Sequence, residues 1–320
     1  PGAPLFAASS GGPLGAGGGG GGGGVRGPNP ARARGRARAR RYDVVWVEKE
    51  LFPWLPALAD LALGRFAKRL VLDYDDAVFH RYDQHPRALV RRVFGRKIDA
   101  LMRAADLVLV GNSYLGDRAR AAGAKRVEHL PTVVDTERYA VPSEAPAPAP
   151  TIGWIGTPRT AAYLERVAPV LASVCSASGA RVRLIGAGPD ALGEIEGVER
   201  RPWSAESEVA DLQDIDVGIM PLPDEPFERG KCGYKLVQYM ACGKPVVASP
   251  VGANRDIVEH GGNGFLADGE DEWSNALSQL VLQPALRRRL GAAGRGLVER
   301  RYSLESAGER FAGWLHEVAG

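Results

Sequence analysis

The sequence predicts an α/β protein with parallel sheets and helices on both sheet faces. Three observations lead there. From Tyr42 onward, short runs of Val, Ile and Leu alternate with segments of helical periodicity. The alternation stops at the Pro/Ala stretch Val141–Pro150 and then restarts, as two domains on a linker would. The chain's 320 residues, 45% hydrophobic and 25% charged, suit about two globular domains.

Residues 1 to 41 come first and differ from the rest. They hold eight consecutive glycines (Gly17 to Gly24) and seven arginines (Arg26, Arg32, Arg34, Arg36, Arg38, Arg40, Arg41), with no acid. So little apolar surface cannot offset the entropy of ordering, so the segment reads as a disordered, dispensable tail without the apolar core of a signal peptide. An arginine-rich RNA-binding arm is the other reading. Without the tail, 34 basic residues face 38 acidic ones. A mildly acidic body argues against nucleic-acid binding. The opening Pro1, in place of Met, reads as a fragment or a displaced start.

Order is expected from Tyr42. Asp43–Val47 reads as a buried strand, Pro53–Gly64 as a helix, Lys68–Asp73 as a second strand. Leu89–Ala105 reads as one long helix, with Val90, Val93, Phe94, Ile98, Leu101 and Met102 at helical spacing. Asp106–Val110 is a third strand, Ser113–Ala122 a helix stopped by Gly123, and Arg126–Leu130 a fourth strand. Past the linker, strands are expected at Thr151–Ile155, Arg181–Ile185, Asp216–Met220, Pro245–Ala248 and Gly264–Leu266. Three helices close the chain: Glu272–Leu282, Pro284–Arg301 and Leu304–Val318, the last with Phe311, Leu315 and Val318 on one face.

Parallel sheets bind ligands beyond the carboxyl ends of their strands, so the loops there hold the candidates. The richest is PLPDEPFERGKCGYKLVQYMACG, Pro221 to Gly243. A helix starting near Lys231 puts Lys231, Lys235 and Gln238 on one face and Leu236, Val237 and Met240 on the other. Each cation at a helix N-terminus is unfavourable by about 0.3–1 kcal/mol, which an anion such as a phosphate would relieve. The alternative is a solvated face whose lysines pair with Asp224, Glu225 or Glu228. Gly156-Thr157, followed by Arg159, suits close backbone approach to the same ligand. Gly186-Ala-Gly188 with Ala191 matches the degenerate dinucleotide pattern G-x-G-x-x-A, but Pro189 and Gly193 leave little room for the helix that fold needs.

In the first half, Asp73-Tyr-Asp75-Asp76 ends a strand, and Asp75 and Asp76 are candidates for orienting hydroxyls, for acid–base work or for a metal; capping a turn is the plain alternative. His80, His85 and His129 lack metal-ligand spacing, so no metal site is expected. Cys175, Cys232 and Cys242 form no CxxC, which suits a reducing cytosol. No apolar run reaches the ~18 residues of a bilayer span. Leu51-Phe-Pro-Trp54 and the nearby Lys68-Arg69 offer a peripheral membrane contact, but Asp60 interrupts that apolar face and core packing is the better reading.

The run GKCGYKLVQYMACGKPVVASPVGANRDIVEHGGNG, Gly230 to Gly264, resembles the donor-binding core of the retaining group 1 (family 4) glycosyltransferases, and PTVVDTERY (Pro131 to Tyr139) resembles the segment leading into their interdomain linker. The resemblance implies the GT-B fold, two facing Rossmann-like domains. Residues 42–140 would be a short acceptor-side domain, 141–150 the linker, 151–303 the donor domain and 304–320 a helix crossing back to the first domain. It implies retaining transfer of a sugar from a nucleotide-diphosphate donor to a glycan or lipid-linked acceptor, without metal or cofactor, in the cytoplasm or at the inner face of the membrane. Gly156, Thr157, Lys231, Lys235 and Gln238 would bind donor; Asp75, Asp76 and Glu228 would be the catalytic carboxylates. The chain departs from the family's Glu-x7-Glu pattern, with Gly230 and Gln238 at those positions, and the usual early histidine is not at Asp75-Asp76. A non-catalytic nucleotide-sugar-binding protein is the runner-up, and an NAD-dependent dehydrogenase the third reading.

Overall fold

The computed structural model describes residues 5–9, 42–64, 68–142, 149–193, 195 and 197–320. They form two compact units, each around a parallel sheet. The first comprises Pro1–Pro131, Arg229–Cys232 and Gly308–Gly320, and the second Thr132–Glu228 and Gly233–Ala307.

The first sheet has the order β1-β2-β3-β4-β5, all parallel. Its elements are β1 (Leu5–Ser9), β2 (Val44–Glu48), α1 (Ala57–Gly64), β3 (Arg69–Tyr74), α2 (His80–Asp83), α3 (Ala88–Phe94), α4 (Lys97–Ala104), β4 (Leu107–Val110), α5 (Ser113–Ala121) and β5 (Val127–His129). Strand β1 lies within the stretch expected to be a disordered tail. Leu5 to Ser9 pair in register with Val44 to Glu48, because a bare edge of β2 offers a row of backbone donors and acceptors. The rest of residues 1–41, the glycine run and arginines included, lie outside the described residues.

Strand order that follows chain order has a packing consequence. Right-handed crossovers between successive neighbours put every connecting helix on one face. There Val45, Val47, Leu72, Val108 and Val110 pack with Ile98, Leu101, Met102 and Leu115. The strands' alternate residues, Val44, Val71, Leu107 and Leu109, point the other way and need separate cover. The C-terminal helix supplies it with Phe311, Trp314, Leu315 and Val318. Helices therefore cover both faces of this sheet, one face by crossovers and the other by the chain's end.

The long helix expected over Leu89–Ala105 is two helices. Gly95 and Arg96 separate α3 from α4, and Arg96 leaves helical geometry at φ −110. The break reconciles opposite demands, since α3 buries no residue while α4 buries Lys97, Ile98, Leu101 and Met102. Helix α1 likewise starts at Ala57, not Pro53, because Trp54 takes a left-handed backbone (φ 65) and Pro56 follows.

The second unit contains β6 (Thr151–Ile155), α6 (Pro158–Ala161), α7 (Ala168–Ser178), β7 (Arg181–Ile185), β8 (Val198–Arg201), α8 (Glu208–Gln213), β9 (Val217–Met220), α9 (Pro226–Arg229), α10 (Tyr234–Ala241), β10 (Val246–Ala248), α11 (Asn254–Ile257), β11 (Gly264–Leu266), α12 (Glu270–Leu282) and α13 (Pro284–Arg301), followed by the C-terminal helix α14 (Leu304–Ala319). The sequence reading missed β8, whose Val-Glu-Arg-Arg lacks an apolar run. As an edge strand it tolerates charge: Arg183 Nε donates to Glu199 Oε2 at 2.8 Å and Arg201 pairs with Asp211 at 2.5 Å.

Residues Thr132–Ala140, expected in the first domain, pack with the second unit. Val134 N donates to Tyr302 O at 2.9 Å, and Arg295 donates to the carbonyls of Tyr139 and Thr136. Of the expected linker, 143–148 lie outside the described residues.

Candidate functional site

The second sheet has the order β11-β10-β9-β6-β7-β8. The chain lays down β6, β7 and β8 to one side, then returns beside β6 to start β9, β10 and β11. Such a reversal, here between β6 and β9, is where open parallel sheets bind ligands, outside the carboxyl ends of the strands. The two loops that leave this point are the Gly156-Thr157 turn after β6 and the segment leading to α10 after β9.

Lys235, on the first turn of α10, carries the positive charge there. Its Nζ lies 4.1 Å from the centroid of Trp154, a β6 side chain that is itself buried, and the cation is held on the ring face. Gly156 makes this possible. A Cβ at that position would come within 2.4 Å of the Trp154 ring and 2.7 Å of Lys235 Nζ. The backbone of the turn is already committed, contrary to the expectation that it faces a ligand: Gly156 N donates to Ile185 O at 2.9 Å, and Thr157 N to Thr160 Oγ1 at 3.1 Å. Thr157 thus starts α6, and Gly156 contributes space.

The helix face expected for Lys231, Lys235 and Gln238 does not form. Gly233 has φ 71 and α10 begins only at Tyr234, so Lys231 precedes the helix and belongs to the first unit. Gln238 is buried. Its Nε2 donates to Tyr139 Oη at 3.1 Å, that hydroxyl donates to Glu208 Oε1, and Trp203 Nε1 donates to Glu208 Oε2 at 2.5 Å. Burial first, then the Glu208 carboxylate, raises the Tyr139 pKa and keeps the phenol protonated. Gln238 is thereby tied into a neutral-donor network around Glu208, a residue the sequence reading did not single out. Glu228 is also buried and accepts a hydrogen bond from Tyr163 Oη.

The other group of charges belongs to the first unit, at the carboxyl ends of β2 and β3. Lys49 follows β2 in a left-handed conformation (φ 62) and its Nζ lies 2.7 Å from Asp75 Oδ1 and 3.3 Å from Glu48 Oε1. Burial opposes its charge, but Asp75 more than offsets that, so its pKa is raised. Burial, reinforced by Asp75 and Glu48 and opposed by Lys49, pushes Asp73 up to about 7. Asp76 is raised by burial as well, against the pull of Lys231, whose Nζ lies 3.9 Å from Asp76 Oδ1.

The Gly230-Lys231-Cys232 segment is locked into this unit. Asn112 Nδ2 donates to the carbonyls of Arg229 and Lys231 at 3.2 and 3.0 Å, while its Oδ1 caps α5 at Leu115 N. Cys232 Sγ donates to Asp75 O at 3.0 Å. Burial and the carboxylates of Asp75, Asp76 and Asp73 hold this thiol well above its ordinary pKa, so it packs and does not attack. A Cβ on Gly230 would meet Ala77 Cβ at 2.4 Å. A glutamate cannot stand there, which gives the first departure from Glu-x7-Glu a steric reason.

His80 bridges Asp83 Oδ1 (2.8 Å) and Tyr114 Oη (2.7 Å), and His129 meets Gly111 O, so both serve packing. Among the described residues, no three His, Cys, Asp or Glu side chains gather as a metal-ligand set. Nor is any helix among them long and apolar enough to cross a membrane.

Residues 149–283 match the family model described as glycosyl transferases group 1. D-inositol 3-phosphate glycosyltransferase of Thermobifida fusca is 34% identical over 108 residues, 33% of this chain and 24% of that protein. The alignment thus spans about a quarter of the length of the first curated relatives. Among solved structures, Anabaena HepE in complex with UDP superposes with a TM-score of 0.70 at 18% identity, over 90% of this chain and 82% of that one. Sucrose-phosphate synthase from Thermosynechococcus elongatus gives 0.69 at 18% identity, over 89% and 76%. These likenesses identify the fold as GT-B.

Proposed function

Because residues 149–283 are a group 1 glycosyltransferase domain, we propose that this chain binds a nucleotide-diphosphate sugar at the carboxyl edge of its second sheet and transfers the sugar, with retention, to a glycan or lipid-linked acceptor. The observation that supports it most is Lys235, a cation held on Trp154 beside the side-chain-free Gly156 at the reversal of strand order. Negative charge develops on the leaving diphosphate as the bond to the anomeric carbon breaks, and a preorganised ammonium there stabilises that charge without a metal. A structural neighbour solved with UDP agrees with such a donor.

The carboxylates divide the remaining work. Glu228, oriented by Tyr163, accepts hydrogen bonds from donor hydroxyls. In the first unit, Asp75 pairs with Lys49 at 2.7 Å, and Asp76, raised by burial and next to Lys231, receives the acceptor's proton. Gln238 acts through the Tyr139–Glu208 network and not by touching the ribose.

A thermal-shift screen of UDP-, GDP- and ADP-sugars tests the reading. A donor at about one hundred times its Kd adds roughly 2.7 kcal/mol and raises Tm by a few degrees. If none shifts Tm, the donor site is elsewhere. A shift without release of nucleoside diphosphate in the presence of glycan or lipid-linked acceptors identifies a binding protein and not a transferase.

A further inference from the structure

Large apolar side chains that stand exposed are not scattered evenly over this chain. Of the nine among the described residues, five belong to two neighbouring segments of the first unit: Trp54, Leu55 and Leu58 around the start of α1, and Leu89 and Val93 on α3. Leu58 is 77% exposed, Leu89 72% and Trp54 51%. The segments meet, since the Trp54 ring lies 6.4 Å from that of Phe94 and 5.8 Å from that of His85. Helix α3 buries no residue at all. Leu89 and Val93, four apart, share a face with Arg92, and from Gln84 to Ile98 the sequence contains Arg87, Arg91, Arg92, Arg96 and Lys97 but no acid. Lys97 is buried; Arg87, Arg92 and Arg96 are exposed, and none of these three pairs with a carboxylate among the described residues.

The apolar tip is held in place by buried chemistry that does nothing else evident. Lys97 Nζ pairs with Glu50 Oε2 at 2.6 Å and donates to Phe52 O at 2.6 Å. Asp60 Oδ1 accepts from Leu51 N and Phe52 N at 2.8 and 3.1 Å. Tyr82 Oη donates to Glu50 and accepts from Trp54 N at 3.2 Å. Together these bonds fix Trp54 in its left-handed conformation, a strain that bulky residues rarely bear.

We infer that this face docks on an anionic lipid bilayer, the arginines meeting phosphate headgroups and Trp54, Leu55, Leu58, Leu89 and Val93 entering the interface. Apolar and aromatic side chains interleaved with arginine on one face are the composition of interfacial segments, and anionic lipid supplies the complementary charge. Asp60, whose charge made this face look unsuitable in sequence, is turned inward to the Leu51 and Phe52 amides and lies outside the docking surface.

The test is co-sedimentation of the full chain with vesicles of mixed phosphatidylglycerol and phosphatidylcholine. Wild type sediments with them, far less with phosphatidylcholine alone, and loses binding as salt is raised. Arg92→Glu with Arg96→Glu, and separately Leu89→Ser with Val93→Ser, each lower the partition by about tenfold or more. All four positions are exposed, so melting temperatures stay unchanged. In brominated lipid, Trp54→Phe removes most of the fluorescence quenching that wild type shows, a readout that does not depend on the other variants. Equal sedimentation of variants and wild type would place binding in the arginines of residues 26–41 and overturn the assignment. So would failure of wild type to sediment, or capture of a nucleic acid by this face in place of vesicles.

Discussion

Lys97 shows how much a single buried charge can decide. Its ammonium is sealed between Glu50 and Asp60, 2.6 and 3.2 Å away. Removing one member of such a group leaves the others charged and unpaired, so Lys97→Met is expected to lower unfolding free energy in urea by about 3–5 kcal/mol. Asp73 gives a pH dependence of known sign. Its folded pKa of about 7 lies above the ordinary 3.8, so the folded state keeps a proton that the unfolded chain releases. Its contribution is full below pH 4 and is lost as pH rises through 7. Asp73→Asn should therefore be more stable than wild type at pH 8, by up to about 4 kcal/mol for a pKa moved from 3.8 to about 7, and nearly equal to it at pH 4. Lys235→Ala should weaken nucleotide-diphosphate binding by about 1.5–3 kcal/mol in calorimetry. Because Lys235 rests on Trp154, the unliganded variant should also lose about 0.5–1 kcal/mol, where a lysine repelled by its helix would have gained. Lys235 was legible as a candidate because a cation opens a helix after a parallel strand. Lys49 was not, since one lysine after a short strand ending in Glu48 has no signature until β2 and β3 lie side by side.

At the level of elements, apolar runs and helical periodicity found β2 to β7, β9 to β11 and the three last helices, because these segments bury one or both faces by their own residues. They failed where the partner decides. Strand β8 is charged and depends on β7 for its ladder, and the helix expected over 89–105 breaks at Gly95 because its halves face different surroundings. The turn from β6 to α6 shows the same dependence. Its glycine was read as room for a ligand's backbone contacts, yet the neighbours that demand glycine are Trp154 and Lys235. Gly156→Ala should cost about 1–3 kcal/mol in stability, as overpacked sites do, and should lose donor binding together with it. Thermal melts with and without nucleotide separate the two effects.

For the whole molecule, the C-terminal helix is the feature with the widest consequence. Its Phe311, Trp314, Leu315 and Val318 cover Val44, Val71, Leu107 and Leu109, with Leu130 beside them. A chain ending at Ala307 should leave that sheet face bare. At about half of full burial for each of the four side chains, the loss is roughly 3–6 kcal/mol, comparable to the stability of a small domain. Calorimetry should then show the first unit's transition lost and the second unit's transition retained. A melt indistinguishable from wild type would mean that the sheet finds other cover.

By itself the sequence determined the fold class and the strands with their own apolar runs, since each rests on local pattern and on the geometry of parallel strands. Tertiary structure alone decided the rest. It recruited Leu5–Ser9 to the first sheet, placed Gly308–Gly320 on that sheet's open face, and divided Lys231 from Lys235 between two units. It also buried Gln238 against Tyr139 and left Trp54, Leu89 and Val93 in solvent. These outcomes depend on which surfaces meet across long separations in the chain, and a residue's own neighbours in sequence carry no record of that.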